Sequence, residues 1–259
     1  MKRVFLAAVI VLSSLVACKK ETGVTGNPSN PGSSKVLKRM TETTAGQTTT
    51  YNFSYDAARR LSSVSSTDNS EVTSFTYASD GNVTKLENRQ ENERNVFDIT
   101  YSHGIPVSGI YKSFEKIGGV ETLSEQYSLQ YTVENGRVTK IKMILAADPA
   151  NDEPGFELDY TLSYTGGNLT QIETSAPFAF AATFTYGNKK PVLPAILKYA
   201  LDPAGFSLEF FAKNDLLSMH YDYPGTELDS TITNIYTYDA NGYVLTANNG
   251  ETQTTFEYQ

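Results

Sequence analysis

The stretch "YTYDANGYV", residues 236 to 244, holds an aromatic strand end, a turn and the start of a return strand. In a strand, side chains at i and i+2 share a face, so Tyr236 and Tyr238 point one way and Thr237 the other. Asn241-Gly242 places residues that tolerate positive φ where a tight hairpin needs them. Val244 opens the second strand. One such stretch predicts one hairpin.

The chain repeats it. "FSYDAARRLSSV" starts at Phe53, "FTYASDGNVTKL" at Phe75, "ITYSHGIPVSGI" at Ile99 and "LQYTVENGRVTKI" at Leu129. "LSYTGGNLTQI" starts at Leu162, "FTYGNKKPVL" at Phe184 and "EFFAKNDLLSM" at Glu209, and "FEY" at Phe256 follows the last turn. The aligned aromatics are Tyr55, Tyr77, Tyr101, Tyr131, Tyr164, Tyr186, Phe211, Tyr238 and Tyr258. Return strands carry apolar residues three apart, as in Val83/Leu86 and Val138/Ile141. Strict alternation forbids that spacing, so either a β-bulge lies there or the first apolar residue plugs the turn. About eight hairpins in series predict an all-β fold: a long antiparallel meander of about sixteen short strands, curled or closed into a barrel. Pro194 as a first helical residue and a stop at Asp202-Pro203 predict one short helix near 195–201, placed to plug an end or cover an edge. Seventeen Tyr and thirteen Phe without Trp suit strands, and 39% hydrophobic residues suffice for a core.

A membrane-spanning barrel is the rival architecture. It needs strands of about 9–11 residues with apolar side chains outward. The strands here read shorter. The aromatic columns then form a one-sided core; the alternative is a lumen lined for a lipid or glycan.

The N-terminus gives an address. Lys2 and Arg3 precede an apolar run from Val4 to Val16, too short to span a bilayer and flanked as a signal peptide is. Leu15-Val16-Ala17-Cys18 resembles the lipobox of bacterial lipoproteins, in which cleavage leaves a diacylated Cys as the first residue. Cys18 is the single cysteine, so no internal disulfide is expected. The expected organisation is a signal peptide over 1–17, a lipidated Cys18 with a flexible Gly/Pro/Ser tether over 18–35, and one β-repeat domain over 36–259. Removing 1–17 takes two positive charges, Lys2 and Arg3, and moves the formal charge from −8 to −10. So acidic a chain is a poor nucleic-acid binder, and an anionic membrane should repel it, leaving attachment to the acyl chains.

Chemical signals are few. His103 falls in a turn. His220 and Asp222 share one strand face but lack the further donor that a metal site needs. Asp148 to Gly155 gathers three acids in a loop without EF-hand spacing. Asn52, Asn82 and Asn168 head Asn-x-Ser/Thr triplets, and the last two sit where the turn itself wants Asn. There is no GxSxG elbow, Gly-rich phosphate loop or CxxC. No catalytic residue, metal site or cofactor is expected.

The Tyr-x-Tyr-Asp…Asn-Gly unit at 236–242 and its copies resemble the tyrosine–aspartate repeats of shells that encapsulate bacterial toxins. Such shells need many hundreds of residues, so the likeness implies the hairpin and not the encapsulation. From Cys18 onward, lipobox, tether and Tyr hairpins together are similar to a family of Bacteroidota envelope lipoproteins with a porin-like fold. That resemblance implies a wide antiparallel barrel anchored at the outer membrane, facing the periplasm or the cell surface. The expected function is a non-catalytic binding or structural role toward a lipid, glycan or envelope protein. The alternatives are a carrier holding an apolar ligand inside the barrel and an envelope hydrolase.

Overall fold

The computed structural model describes residues 35–145, 155–174, 179–193, 196 and 212–259. Their strands are β1 (Leu37–Thr44), β2 (Gln47–Tyr55), β3 (Leu61–Ser66), β4 (Val72–Tyr77), β5 (Val83–Arg89) and β6 (Glu93–Ser102). A long pair follows, β7 (Ile105–Ile117) and β8 (Val120–Glu134), then β9 (Arg137–Leu145), β10 (Phe156–Thr165), β11 (Asn168–Thr174) and β12 (Phe180–Tyr186). The last are β13 (Leu216–Asp222), β14 (Ser230–Thr233), β15 (Ile235–Tyr238), β16 (Val244–Asn248) and β17 (Thr252–Tyr258).

Each strand pairs antiparallel with the next, and β17 returns to pair with β1. The exception is the step from β14 to β15. These two run in line with Asn234 alone between them; β14 pairs with β13 and β15 with β16. Counted as one interrupted strand they give sixteen, in eight hairpin-like units. The ring is therefore a meander closed edge to edge, as the repeat predicts.

The spacing of three resolves as a bulge. In the β4–β5 ladder Thr76 faces Lys85 but Tyr77 faces Val83, leaving Thr84 extra. The same slip recurs at Ser62, Val107, Thr139, Thr170, Leu217 and Leu245. One extra residue flips the parity, so both apolar residues of the return strand face inward. Val83, Leu86, Val138 and Ile141 are accordingly buried. The seam repeats the slip without a turn: Tyr258 faces Leu37, Glu257 faces Arg39, and Lys38 is extra. The first and last strands thus form the two halves of one unit. Val36 N donates to Gln259 O at 3.0 Å and Gln259 N to Val36 O at 2.9 Å.

Two alignments change. Val133 faces Val138 and so takes the column position expected for Tyr131, which pairs with Ile141 one row further in. Tyr186 is answered by Leu216 of β13, not by a strand at Val192. An insertion from 187 to 215 replaces that turn. Phe211 and, apart from Ile196, the expected helix over 195–201 lie outside the described residues. Val192, Leu193 and Ile196 pack against the core, so the insertion does contribute to filling the barrel.

On β10 and β17 the faces run opposite to those of a membrane barrel. Along β10 the outward residues Glu157, Asp159, Thr161, Ser163 and Thr165 are all exposed, while Leu158 and Leu162 are buried. On β17 Gln253, Thr255 and Glu257 are outward. A lipid-facing barrel reverses this order. This part of the outer wall suits water, whereas β7 and β8 expose Ile105, Val107, Ile110, Ile117, Val120 and Leu123.

Candidate functional site

The two ends of the barrel differ. At one, the tyrosine end, two of the repeated turns share one plan. Asp239 Oδ1 accepts from Asn241 N at 2.8 Å and Tyr243 N at 3.0 Å, and Gly242 takes φ 76°. Asp56 does the same for Ala58 N and Arg60 N, with Arg59 at φ 61°. Three column tyrosines then reach back one unit. Tyr55 OH donates to Leu37 O at 2.7 Å, Tyr77 OH to Leu61 O at 2.6 Å and Tyr101 OH to Val83 O at 2.8 Å. Burial pushes the Tyr55 and Tyr77 hydroxyls up to about 12, so they stay protonated donors. The residue after the positive-φ position packs against the next unit's tyrosine. Arg60 lies 4.4 Å from the Tyr77 ring centroid, and Tyr243 sits 5.2 Å from Tyr258. This end is structural: it locks hairpins to one another.

The insertion is clamped at the same end. Asp215 is fully buried; its Oδ1 accepts from Lys189 N at 2.7 Å and its Oδ2 from Tyr238 OH at 2.6 Å. Gly187 must be glycine, because a Cβ there would collide with both carboxylate oxygens of the buried Asp215. Asn168 is buried and its Oδ1 accepts from Lys213 N and Asn214 N, so this turn Asn is a clamp and no exposed acceptor.

At the far end, inward positions past the core row turn polar on half of the wall. Glu71, just before β4, is the centre. Its Oε1 accepts from Asn88 Nδ2 at 3.0 Å and Gln90 Nε2 at 3.4 Å, and its Oε2 from Tyr51 OH at 3.3 Å. Asn88 Nδ2 also meets Thr73 Oγ1 at 3.0 Å. Glu42, two residues beyond the core residue Met40, faces inward beside this group. Burial foremost, then the charge of Glu71, pushes its carboxyl up to about 7. Further round, Tyr111 OH donates to Asn95 Oδ1 at 2.9 Å and Asn95 Nδ2 to Glu93 Oε1 at 2.8 Å. Tyr111 stacks on Tyr127 with centroids 4.6 Å apart, and from there the wall becomes apolar, with Leu158 buried. The strip is a polar network in which the carboxylates of Glu71 and Glu93 accept from neighbouring amides and a hydroxyl. Alternation from Met40 to Glu42 and from Leu86 to Asn88 and Gln90 carries the signal in the sequence, once the bulge fixes which face is inward.

Glu42 makes the strip pH-sensitive. A carboxyl with a folded pKa near 7 and an ordinary value of 4.5 favours folding most below about pH 4.5. Stability is lost as pH rises to about 7 and the penalty is constant beyond. Glu42→Gln should therefore raise the urea midpoint at pH 8, by up to about 3 kcal/mol of stability, and change it little at pH 4. Equal effects at both pH values would refute the assignment.

Other candidates stay apart. His103 Nδ1 meets only its neighbour Ser102 Oγ, at 3.1 Å in an exposed turn at φ 52°. His220 Nδ1 meets Thr231 Oγ1 at 2.8 Å on the outer face. Among the described residues no three of His, Cys, Asp and Glu gather as a metal group. Cys18 and nearly all of the 148–155 loop lie outside the described residues.

No family model matches the chain, and no curated protein does. Among solved structures, a porin-like protein from Bacteroides vulgatus is similar with a TM-score of 0.54 and 10% identity, over 87% of this chain and 99% of that one. A porin-like protein from Bacteroides uniformis gives 0.48 and 16%, over 90% and 99%. The structure of TcdB2-TccC3 without its hypervariable C-terminal region gives 0.26 and 14%, over 83% of this chain and 14% of that one. The first likeness carries the fold: an antiparallel barrel of the porin-like type.

Proposed function

We propose that the protein is a lipid-anchored, non-catalytic β-barrel of the bacterial cell envelope that presents its far end to a polar partner. The observation that supports this most is the pairing of an outer wall that suits water along β10 and β17 with a lipobox-like Leu15-Val16-Ala17-Cys18. A barrel with exposed Glu157 and Asp159 on its flank gains nothing by entering lipid, so attachment falls to the acylated Cys18. The tether of 19–34 spans on the order of 20 Å. The porin-like likeness agrees with an envelope location. The carrier reading fares less well: Phe97, Leu86 and Leu129 are wholly buried in the core, so no open lumen reaches them.

Replacing Cys18 tests the anchor. In cells expressing Cys18→Ala, the protein should move from the membrane to the soluble fraction and from the detergent to the aqueous phase on partitioning. The wash should use about 1 M salt, where charge attraction is screened to about 3 Å. Unchanged membrane association after that wash rejects lipid anchoring.

A further inference from the structure

The acidic net charge hides a separation of charge along the barrel axis. The barrel divides at the core row that holds Met40, Phe53, Phe75, Leu86, Ile141 and Leu162. Among the described residues, eleven Lys and Arg stand on the tyrosine side of that row against six Asp and Glu. Beyond it stand five against seventeen. One of the six acids, Asp215, is buried and committed to the clamp. The cations are placed outward: Arg59, Arg137, Lys189, Lys190 and Lys213 are exposed in or beside the turns. Lys38 and Lys140, both exposed, stand at the seam bulge and just past the β8–β9 turn.

The chain also enters at this end. Lys35 N donates to Tyr243 OH at 3.0 Å, and Lys35 Nζ pairs with Asp239 at 2.7 Å. Thus the segment leading back to Cys18 leaves from the basic end, and the acidic end is the one furthest from it.

We propose that the tyrosine end is a docking surface for anionic lipid headgroups, against which the barrel stands with its acidic end pointing away. Two independent observations agree: the sign of the charge and the point from which the tether leaves. A bilayer with anionic lipid attracts cations within a Debye length, about 8 Å at physiological salt, and each Lys or Arg held there is worth about fivefold in binding. The acidic end is repelled at the same time, so the field sets orientation as well as attraction. The net charge alone, which predicts repulsion, is the wrong measure here because the two signs are separated along the barrel axis. The biological role of this surface rests on the envelope location proposed above; its chemistry does not need the acyl chain.

The test uses the chain from residue 18 with Cys18→Ala, so that loss of the anchor and loss of the surface are read separately; the ring uses only residues from 35 onward. Vesicles of phosphatidylcholine with about one third phosphatidylglycerol should pellet the protein at low salt, and pure phosphatidylcholine vesicles should not. Binding should fall as salt rises. The triple variant Lys38→Glu/Lys140→Glu/Lys189→Glu should bind at least about 100-fold more weakly. The variant Lys112→Glu/Lys116→Glu/Lys142→Glu makes the same change in net charge at the far end and should bind as the parent does. Matched circular dichroism melts for both variants keep the comparison free of unfolding. The proposal is overturned if the parent chain ignores anionic vesicles, or if the two triple variants lose binding equally.

Discussion

A chain ending at Gly250 should give no folded barrel. The missing strand, β17, holds two neighbours at once: Thr255 faces Thr246 of β16 and Thr41 of β1. Its inward residues Thr252, Thr254 and Phe256 are buried, and Phe256 faces Met40 across the seam. Losing it removes their packing and opens a ring without edges into a sheet with two long ones, the arrangement most prone to aggregation. The expected result is insoluble protein, or soluble protein with no cooperative thermal transition. A truncated chain that melts cooperatively near the full-length temperature would mean that the seam does not hold the ring. Position along the chain is separable from the strand itself. Because the seam carries the same bulge as the hairpins, a permutant that joins Tyr258 to Leu37 through a five-residue "DANGY" turn in place of Gln259, Lys35 and Val36, opened at Ala45-Gly46, should fold. In it the split unit becomes an ordinary hairpin.

That seam marks how much the sequence revealed. The turns were legible because Asp239 and Gly242 have local jobs: a side chain that caps two amides and a backbone at positive φ. The inward columns were legible for the same reason, being spaced within one hairpin. Register was not. Apolar residues three apart fit a bulge or a turn plug equally well, and only the pairing with the partner strand decides. Tyr131 misled because its neighbour Val133 fills the column position with a smaller apolar side chain. The partner of β12 was hidden by the 187–215 insertion, since a doubled loop costs only about 0.6 kcal/mol more to close and so leaves little local trace. The polar strip was the least legible. Glu42 acquires its character from burial inside the ring first, and then from Glu71, which the ring places nearby although it is distant in sequence. The separation of charge likewise needs the barrel ends to be known before any residue can be assigned to one.

Phe97→Ala should cost about 3–5 kcal/mol, or roughly 6–20 °C in melting temperature for a domain of this size. Phe97 on β6 has no exposed surface, and the adjoining strand makes room for it. Gly109 occupies the row that holds Leu86 and Ile141 in other units, so one unit lacks its core side chain. The ring of Phe97 fills that place: a Cβ built on Gly109 would lie 2.7 Å from Phe97 Cε2 and 2.9 Å from Tyr131 OH. Gly109→Ala therefore forces a fully buried ring and a neighbouring hydroxyl to move, at about 1–3 kcal/mol. The two positions should be coupled. With Phe97 already shortened to Ala, the methyl at 109 enters the space the ring leaves, and the second substitution should cost little or restore part of the loss. A double-mutant cycle in urea should give an interaction energy of at least about 1 kcal/mol in that direction. Additive costs would mean that the glycine is required by something other than the ring. The same cycle distinguishes a filled barrel from a hollow one, because a ring facing open space could swing aside and would accept the methyl without penalty.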